Sequence, residues 1–289
     1  CSGKAEHFRK LKRFNMGNSG WINLRGSFIM KKPIFLMLGL LMLLTPIAYA
    51  DRGIIPFNHT QIYEPDQKAI IVWNDCEEIL LLSVDLKTAQ SSVPVLEVLP
   101  LPSLPSVEEG STYSFDVLAE YTMSRLPPSL PALEMKGIEV VFHSEIGAHD
   151  VSVVRVEDSE SFVVWVKDYS QKHGLPIPPN LDEAVRLFED YVRQGFTYFA
   201  VDVVDVAEDV GSVKPLMYKF NSSHIYFPLK ISSLAEGQTT ITVFLLTKNK
   251  LELSSLSNET GMEVLFEGII PTKLVADADP RLASLFVTN

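Results

Sequence analysis

The sequence predicts an α+β fold, mainly antiparallel sheets with a central helix pair at about 160–173 and 181–194. Three observations predict it. Residues 180–195 carry the punctuation of a helix: Asn180 is a good N-cap and Glu183 follows three residues on, as in a capping box. Leu181, Ala184, Val185, Leu187, Phe188, Tyr191 and Val192 then recur at helical spacing until Gly195. Next, residues 196–206 read FTYFAVDVVDV, and this β-branched, aromatic and nearly unbroken apolar run suits a strand buried on both faces. Elsewhere, short apolar runs bounded by turn residues follow one another closely with few helical patterns between them, which favours antiparallel sheets.

Taken in chain order, residues 1–29 are basic and poor in apolar residues and read as an upstream leader outside the mature fold. Residues 30–50 have the pattern of a secretory signal peptide. Lys31 and Lys32 form its charged start, residues 34–44 its apolar run, and Ala48, Tyr49 and Ala50 a small-x-small site that predicts cleavage between Ala50 and Asp51. The apolar run is shorter than the roughly 20 residues a spanning helix needs, so contact with a membrane is expected only if this segment stays uncleaved. The mature domain is then 51–289, with a Pro-marked loop near 127–137 as the candidate division into two halves.

The first fifty residues hold eight of the 25 Lys and Arg and one of the 36 Asp and Glu. The mature chain keeps 17 basic and 35 acidic residues, a formal net charge of −18. Such a surface repels phosphate backbones, so no nucleic-acid partner is expected. Cys76 is the only cysteine left after Cys1 is removed, which excludes an intrachain disulfide in the mature chain. It lies among Asn74, Asp75, Glu77 and Glu78, where neighbouring carboxylates disfavour a thiolate, and it reads as a turn residue.

Along the mature chain, residues 68–74 and 78–85 read as a hairpin across an acidic turn. Prolines 94, 100, 102 and 105 disfavour a central strand over residues 92–107 and suggest an extended edge or a polyproline-like crossing. Residues 114–126 fit helix or strand equally. Residues 138–143 and 150–157 suggest a second hairpin. After Ser161–His173, which closes on Gly174, and the helix and strand described above, further strands are expected near 213–219, 225–231, 239–247 and 262–270.

Several of these stretches also carry a resemblance. Trp165 followed by Gly174, the connector with Pro176, Pro178 and Pro179, the helix end Tyr191-Val192-Arg193-Gln194-Gly195-Phe196, then Lys214-Pro215-Leu216 and Phe227-Pro228-Leu229-Lys230-Ile231 resemble the secreted proteins of domain-of-unknown-function family 2330. Upstream, Ala69-Ile70-Ile71-Val72-Trp73, Glu78-Ile79-Leu80-Leu81 and the proline-rich run from Val98 to Val107 match in the same order. The resemblance spans roughly residues 60–246. It implies an exported α+β domain of unestablished activity, and it supplies no catalytic motif to carry over.

The common signatures of acyl transfer, nucleotide binding and zinc are not found in the sequence. No catalytic residue, cofactor or firm metal ligand is therefore assigned. The best local constellation is His143, Glu145, His149 and Asp150, where a hairpin would bring imidazoles and carboxylates together as candidate ligands of a divalent metal; the competing reading is a solvated polar turn. Asp202, Asp205, Glu208 and Asp209 lack the spacing of an EF-hand and read as a charged strand end. Asn58, Asn221 and Asn258 begin glycosylation sequons. Tyr198, Phe199, Tyr218, Phe220, Tyr226 and Phe227 would line a groove or fill the core. Together these readings predict a secreted or cell-envelope protein with a binding or structural role, whose partner would be an envelope protein or glycan. The alternative is an exported metal-dependent hydrolase built on residues 143–150.

Overall fold

The computed structural model describes residues 5–12, 53–88, 93–125, 150–206, 211–212, 214–234, 239–251 and 263–286. It is an α+β fold with two sheets. The larger has the strand order β12-β1-β11-β3-β4-β10-β6, where these are Glu263–Pro271, Ala5–Lys12, Thr240–Thr247, Ile62–Trp73, Glu77–Thr88, Leu216–Asn221 and Ser106–Glu109; the short β9, Gly211–Ser212, also pairs with β4. The smaller has the order β2-β5-β8-β7, Gly53–Pro56, Val93–Leu101, Tyr198–Val206 and Asp150–Arg155. Among the described residues all pairings are antiparallel except that of β3 with β11.

Alternation along the strands builds four layers, because successive side chains leave a strand on opposite faces. From the large sheet, Ile70, Val72, Ile79, Leu81, Phe244 and Leu246 face helix α1, Thr112–Met123, and the short helices α4, Thr272–Ala278, and α5, Pro280–Ser284. The intervening positions Ala69, Ile71, Leu80, Leu82, Val84 and Leu86 turn toward the small sheet, where Val93, Val95, Leu99, Val204 and Val206 meet them. The small sheet's other face, with Phe199 and Val201, is covered by α2, Ser159–His173, and α3, Leu181–Arg193. Phe162 of α2 and Phe188 of α3 meet edge to face, with centroids 4.3 Å apart, and both rings lie within 6 Å of Phe199. Residues before and after 127–137 contribute to both the large and the small sheet.

The hairpin expected at 68–85 is the long β3–β4 pair. Its turn is closed by Asn74, whose Oδ1 accepts the N–H groups of Cys76 and Glu77, while Asp75 takes φ 79°, a left-handed conformation that Asp tolerates better than most residues. The α2 helix begins on Asp158, whose carboxylate accepts Ser161 N–H at 2.7 Å and is held below its ordinary range by that bond. It stops on Gly174 at φ 66°, where Leu175 N–H returns to Ser170 O. The undecided residues 114–126 fall largely in α1.

Three sequence expectations are corrected. Asn180 precedes α3, but its side chain makes no capping hydrogen bond; its backbone carbonyl accepts Glu183 N–H and Ala184 N–H instead. The proline-bearing residues 93–101 form a central strand, β5, between β2 and β8. Pro94 O accepts Phe57 N–H, and a strand residue aims its N and its C=O to the same side, so the missing proline donor faces β2. There β2 pairs only with residues 95–98, and Pro94 and Pro100 fall just past its two ends. Residues 225–231 are not a strand; they run irregularly into a 3₁₀ turn, Ile231–Leu234, for reasons that belong to the site below. Apart from these corrections, Ala5–Lys12, which the sequence places in a leader, pairs as β1 between β11 and β12.

Candidate functional site

After β10 the chain enters residues 222–231, and here buried polar groups from three layers converge. Pro228 breaks any ladder, so the backbone donors of this segment must find partners elsewhere. Tyr226 N–H donates to Glu78 Oε2 of β4 at 2.8 Å, and Ile231 N–H donates to the Tyr191 hydroxyl of α3 at 2.9 Å. The Tyr226 hydroxyl donates to Pro100 O of β5 at 2.6 Å. Lys230 pairs with Asp190 of α3. At the start of the segment, Trp73 Nε1–H donates to Ser222 O, and Ser222 N–H to Cys76 O. The segment thus joins the large sheet, the small sheet and α3.

Aromatic rings seal it. Phe196 lies 5.1 Å from Tyr226 and edge-on to Tyr191 at 5.5 Å, and Phe220 approaches Tyr226 at 6.1 Å. Glu78 is 0% exposed, and its Oε1 has no hydrogen-bond partner among the described residues. Burial raises its carboxyl well above the ordinary carboxylate range, with the Tyr226 N–H offsetting part of the shift. The Tyr226 and Tyr191 phenols are likewise pushed up by burial. All three groups are driven toward their neutral forms, which is the protonation state of a structural hydrogen-bond network. Removing the Tyr191 hydroxyl in Tyr191→Phe leaves Ile231 N–H buried without its acceptor. The expected cost is about 1–3 kcal/mol in a denaturant titration, with faster hydrogen exchange at the Ile231 amide.

Further carboxylates lie between the sheets. Glu97 and Asp202 stand directly opposite each other on β5 and β8, 1% and 2% exposed, and Glu64 accepts Gln67 Nε2–H at 2.8 Å. Asp202 is therefore interior, whereas Asp205 on the same strand is exposed; the reading of both as one charged strand end is corrected for Asp202. Asp66 faces Asp85 across β3 and β4, with Lys68 at 3.5 Å from Asp66, and burial raises the Asp66 carboxyl. Among the described residues no group of three or more His, Cys, Asp or Glu side chains is placed to hold a metal ion.

Of the metal candidates, Asp150 is the first residue of β7, opposite Val203, while His143, Glu145 and His149 lie outside the described residues. Ala50, Asp51, Asn258, Glu208 and Asp209 lie outside them too. Asn221 is exposed at the end of β10, and Cys76 is an exposed free thiol in its turn. Asn58 is half-buried and accepts Thr60 N–H at 3.0 Å, on the wall of a cavity of about 220 Å³ where His59, Gln61 and Asn180 also lie. Of the six aromatic residues offered for a groove, Phe199, Tyr218, Phe220, Tyr226 and Phe227 are core; only Tyr198 is half-exposed. Sequence reasoning placed Glu78 at the start of the strand 78–85 but did not single it out as a buried, chemically distinct group. A carboxylate one residue before an unbroken Ile-Leu-Leu-Leu run, at an inward position, was the available signal.

The model of DUF2330, described as an uncharacterized protein family conserved in bacteria, matches residues 48–287. The chain belongs to this family. The match takes in every element of the DUF2330 domain described above except β1. No curated protein and no solved structure matches the chain.

Proposed function

We propose that this DUF2330 protein is exported to the cell envelope or medium and serves there as a non-catalytic binding or structural domain. The observation that carries the second half is the use of its most perturbed groups: Glu78, Tyr191 and Tyr226 are sealed from solvent and spend their hydrogen bonds joining layers. A catalytic acid or base must reach a substrate, and these groups face other parts of the fold. The signal pattern of residues 30–50 and the net charge of −18 beyond it support the first half.

The test is to express the whole chain with a C-terminal tag in an exporting bacterium, fractionate the cells and weigh the protein. Recovery outside the cytoplasm with Asp51 as first residue is expected. Cytoplasmic protein that keeps residues 1–50 overturns export. Metal analysis of the same preparation checks the other half. A stoichiometric divalent metal that is lost in the His143→Ala, His149→Ala variant would replace the non-catalytic reading with the hydrolase one.

A further inference from the structure

We infer that the processed domain is a strand acceptor, which takes an extended basic segment of an envelope polypeptide between β11 and β12. The inference rests on the export reading above. β1 fills that position here, antiparallel to both neighbours, with six of its residues paired to β11 and eight to β12. β11 and β12 do not pair with each other. Yet β1 lies outside the part of the chain that the family shares, and upstream of the predicted cleavage point.

Loss of β1 would leave β12 in place, because β12 is held from elsewhere. The Tyr121 hydroxyl of α1 donates to Ile269 O at 2.6 Å, and the Tyr121 ring meets Phe266 edge-on at 6.4 Å. Ile270 is fully buried in the cluster it shares with Val275 of α4, and β12 runs into α4 without a break. What remains is a gap two strand spacings wide, about 9.5 Å, bordered on both sides by backbone N–H and C=O groups without partners. An added strand satisfies both rows at once, which is the basis of β-strand addition as a mode of recognition.

The register states the chemistry of the occupant. Position 9 stands opposite Glu267 and position 12 opposite Glu263, and the residues found there are Arg9 and Lys12. Glu263 and Glu267 are both exposed, and Glu267 Oε1 is also paired with Lys250 Nζ at 3.0 Å. Directly opposite residues share a face of the sheet, so a segment with basic residues at these two positions is favoured over a neutral or acidic one. The acidic processed chain draws such a segment in over longer range. Position 8 stands between Leu246 and Gly268, and the Phe266 ring lies over that glycine.

The processed protein, its first residue established by mass, is titrated with a fluorescent peptide of residues 5–12, with hydrogen exchange followed in parallel. Saturable one-to-one binding is expected, with peptide-dependent protection of amides in β11 and β12. The exposed Glu263→Lys, Glu267→Lys pair should weaken binding at least tenfold while circular dichroism stays unchanged, and a peptide with Phe8→Pro should not bind. Absence of saturable binding to the processed protein overturns the acceptor and leaves export standing. Undiminished binding to the double Lys variant overturns the basic specificity. A protein that keeps residues 1–50 overturns both readings, and the mass identifies that case.

Discussion

Phe188→Ala is expected to lower the unfolding free energy by about 3–5 kcal/mol, the largest loss among single truncations of α3. Phe188 is 0% exposed and its ring meets Phe162 at 67° and Phe199 at 76°, so truncation removes contacts to α2 and to the small sheet together. Two neighbours supply the scale. Asn180→Ala should cost less than about 0.5 kcal/mol, well short of the roughly 1 kcal/mol of a working N-cap, because the Asn180 side chain caps nothing. Glu189→Ala should cost no more than about 0.5 kcal/mol, since Glu189 is exposed and its side chain accepts the Ser159 hydroxyl at 3.1 Å, while the backbone carbonyl that accepts Arg193 Nε–H is kept. A denaturant titration in which Glu189→Ala matches Phe188→Ala would sink the assignment of the buried face.

Glu78→Gln is expected to change how stability depends on pH. The folded-state carboxyl is raised by burial, so the wild-type chain holds a proton on folding that the unfolded chain releases. The associated stability is fully present below the ordinary value of 4.5 and is lost as the pH rises from there through the folded-state value. The slope in that window is at most about 1.4 kcal/mol per pH unit for one proton. The amide keeps an oxygen for the Tyr226 N–H and carries no charge, so the variant loses this slope. The variant should therefore gain on the wild type steadily above pH 4.5. Asp158 and Asp279, both lowered, lose their stabilisation as the pH falls; they act in both proteins and cancel in the difference. Stability profiles that run parallel from pH 4 to 9 would show that Glu78 carries no such proton.

The contrast between these two residues shows what was legible in the sequence. Phe188 lies in a segment whose own spacing defines a buried stripe, and the β3–β4 hairpin was equally readable because its partners are neighbours in the chain. For Glu78 only the inward position was readable; the bond it makes was not, because its partner Tyr226 comes 148 residues later in the chain. Residues 225–231 failed as a strand for the same reason: their apolar character is real, but Tyr226 and Ile231 send their N–H groups to side chains on other layers. The prolines of β5 misled by kind. Proline disfavours a central strand only where its missing donor faces a partner, and a neighbouring strand four residues long leaves room for one at each end. At Asp202 the charge outweighed the position; a carboxylate at an inward register on an apolar strand belongs to the interior.

The parallel pairing of β3 with β11 also bears on how the molecule forms. Eight residues, Asp66 to Trp73, lie alongside Thr240 to Thr247, so one edge of β3 is completed by a strand made much later in the chain. The entropy of closing so long a loop must be met before those contacts return anything, which places this step late and makes it slow. Until then Ile70 and Val72 have β4 on one side and nothing on the other, an apolar edge open to mispairing with other chains. A nascent chain stopped before residue 240 should therefore aggregate where one extended through residue 286 folds, so correct folding of this domain waits on the synthesis of β11.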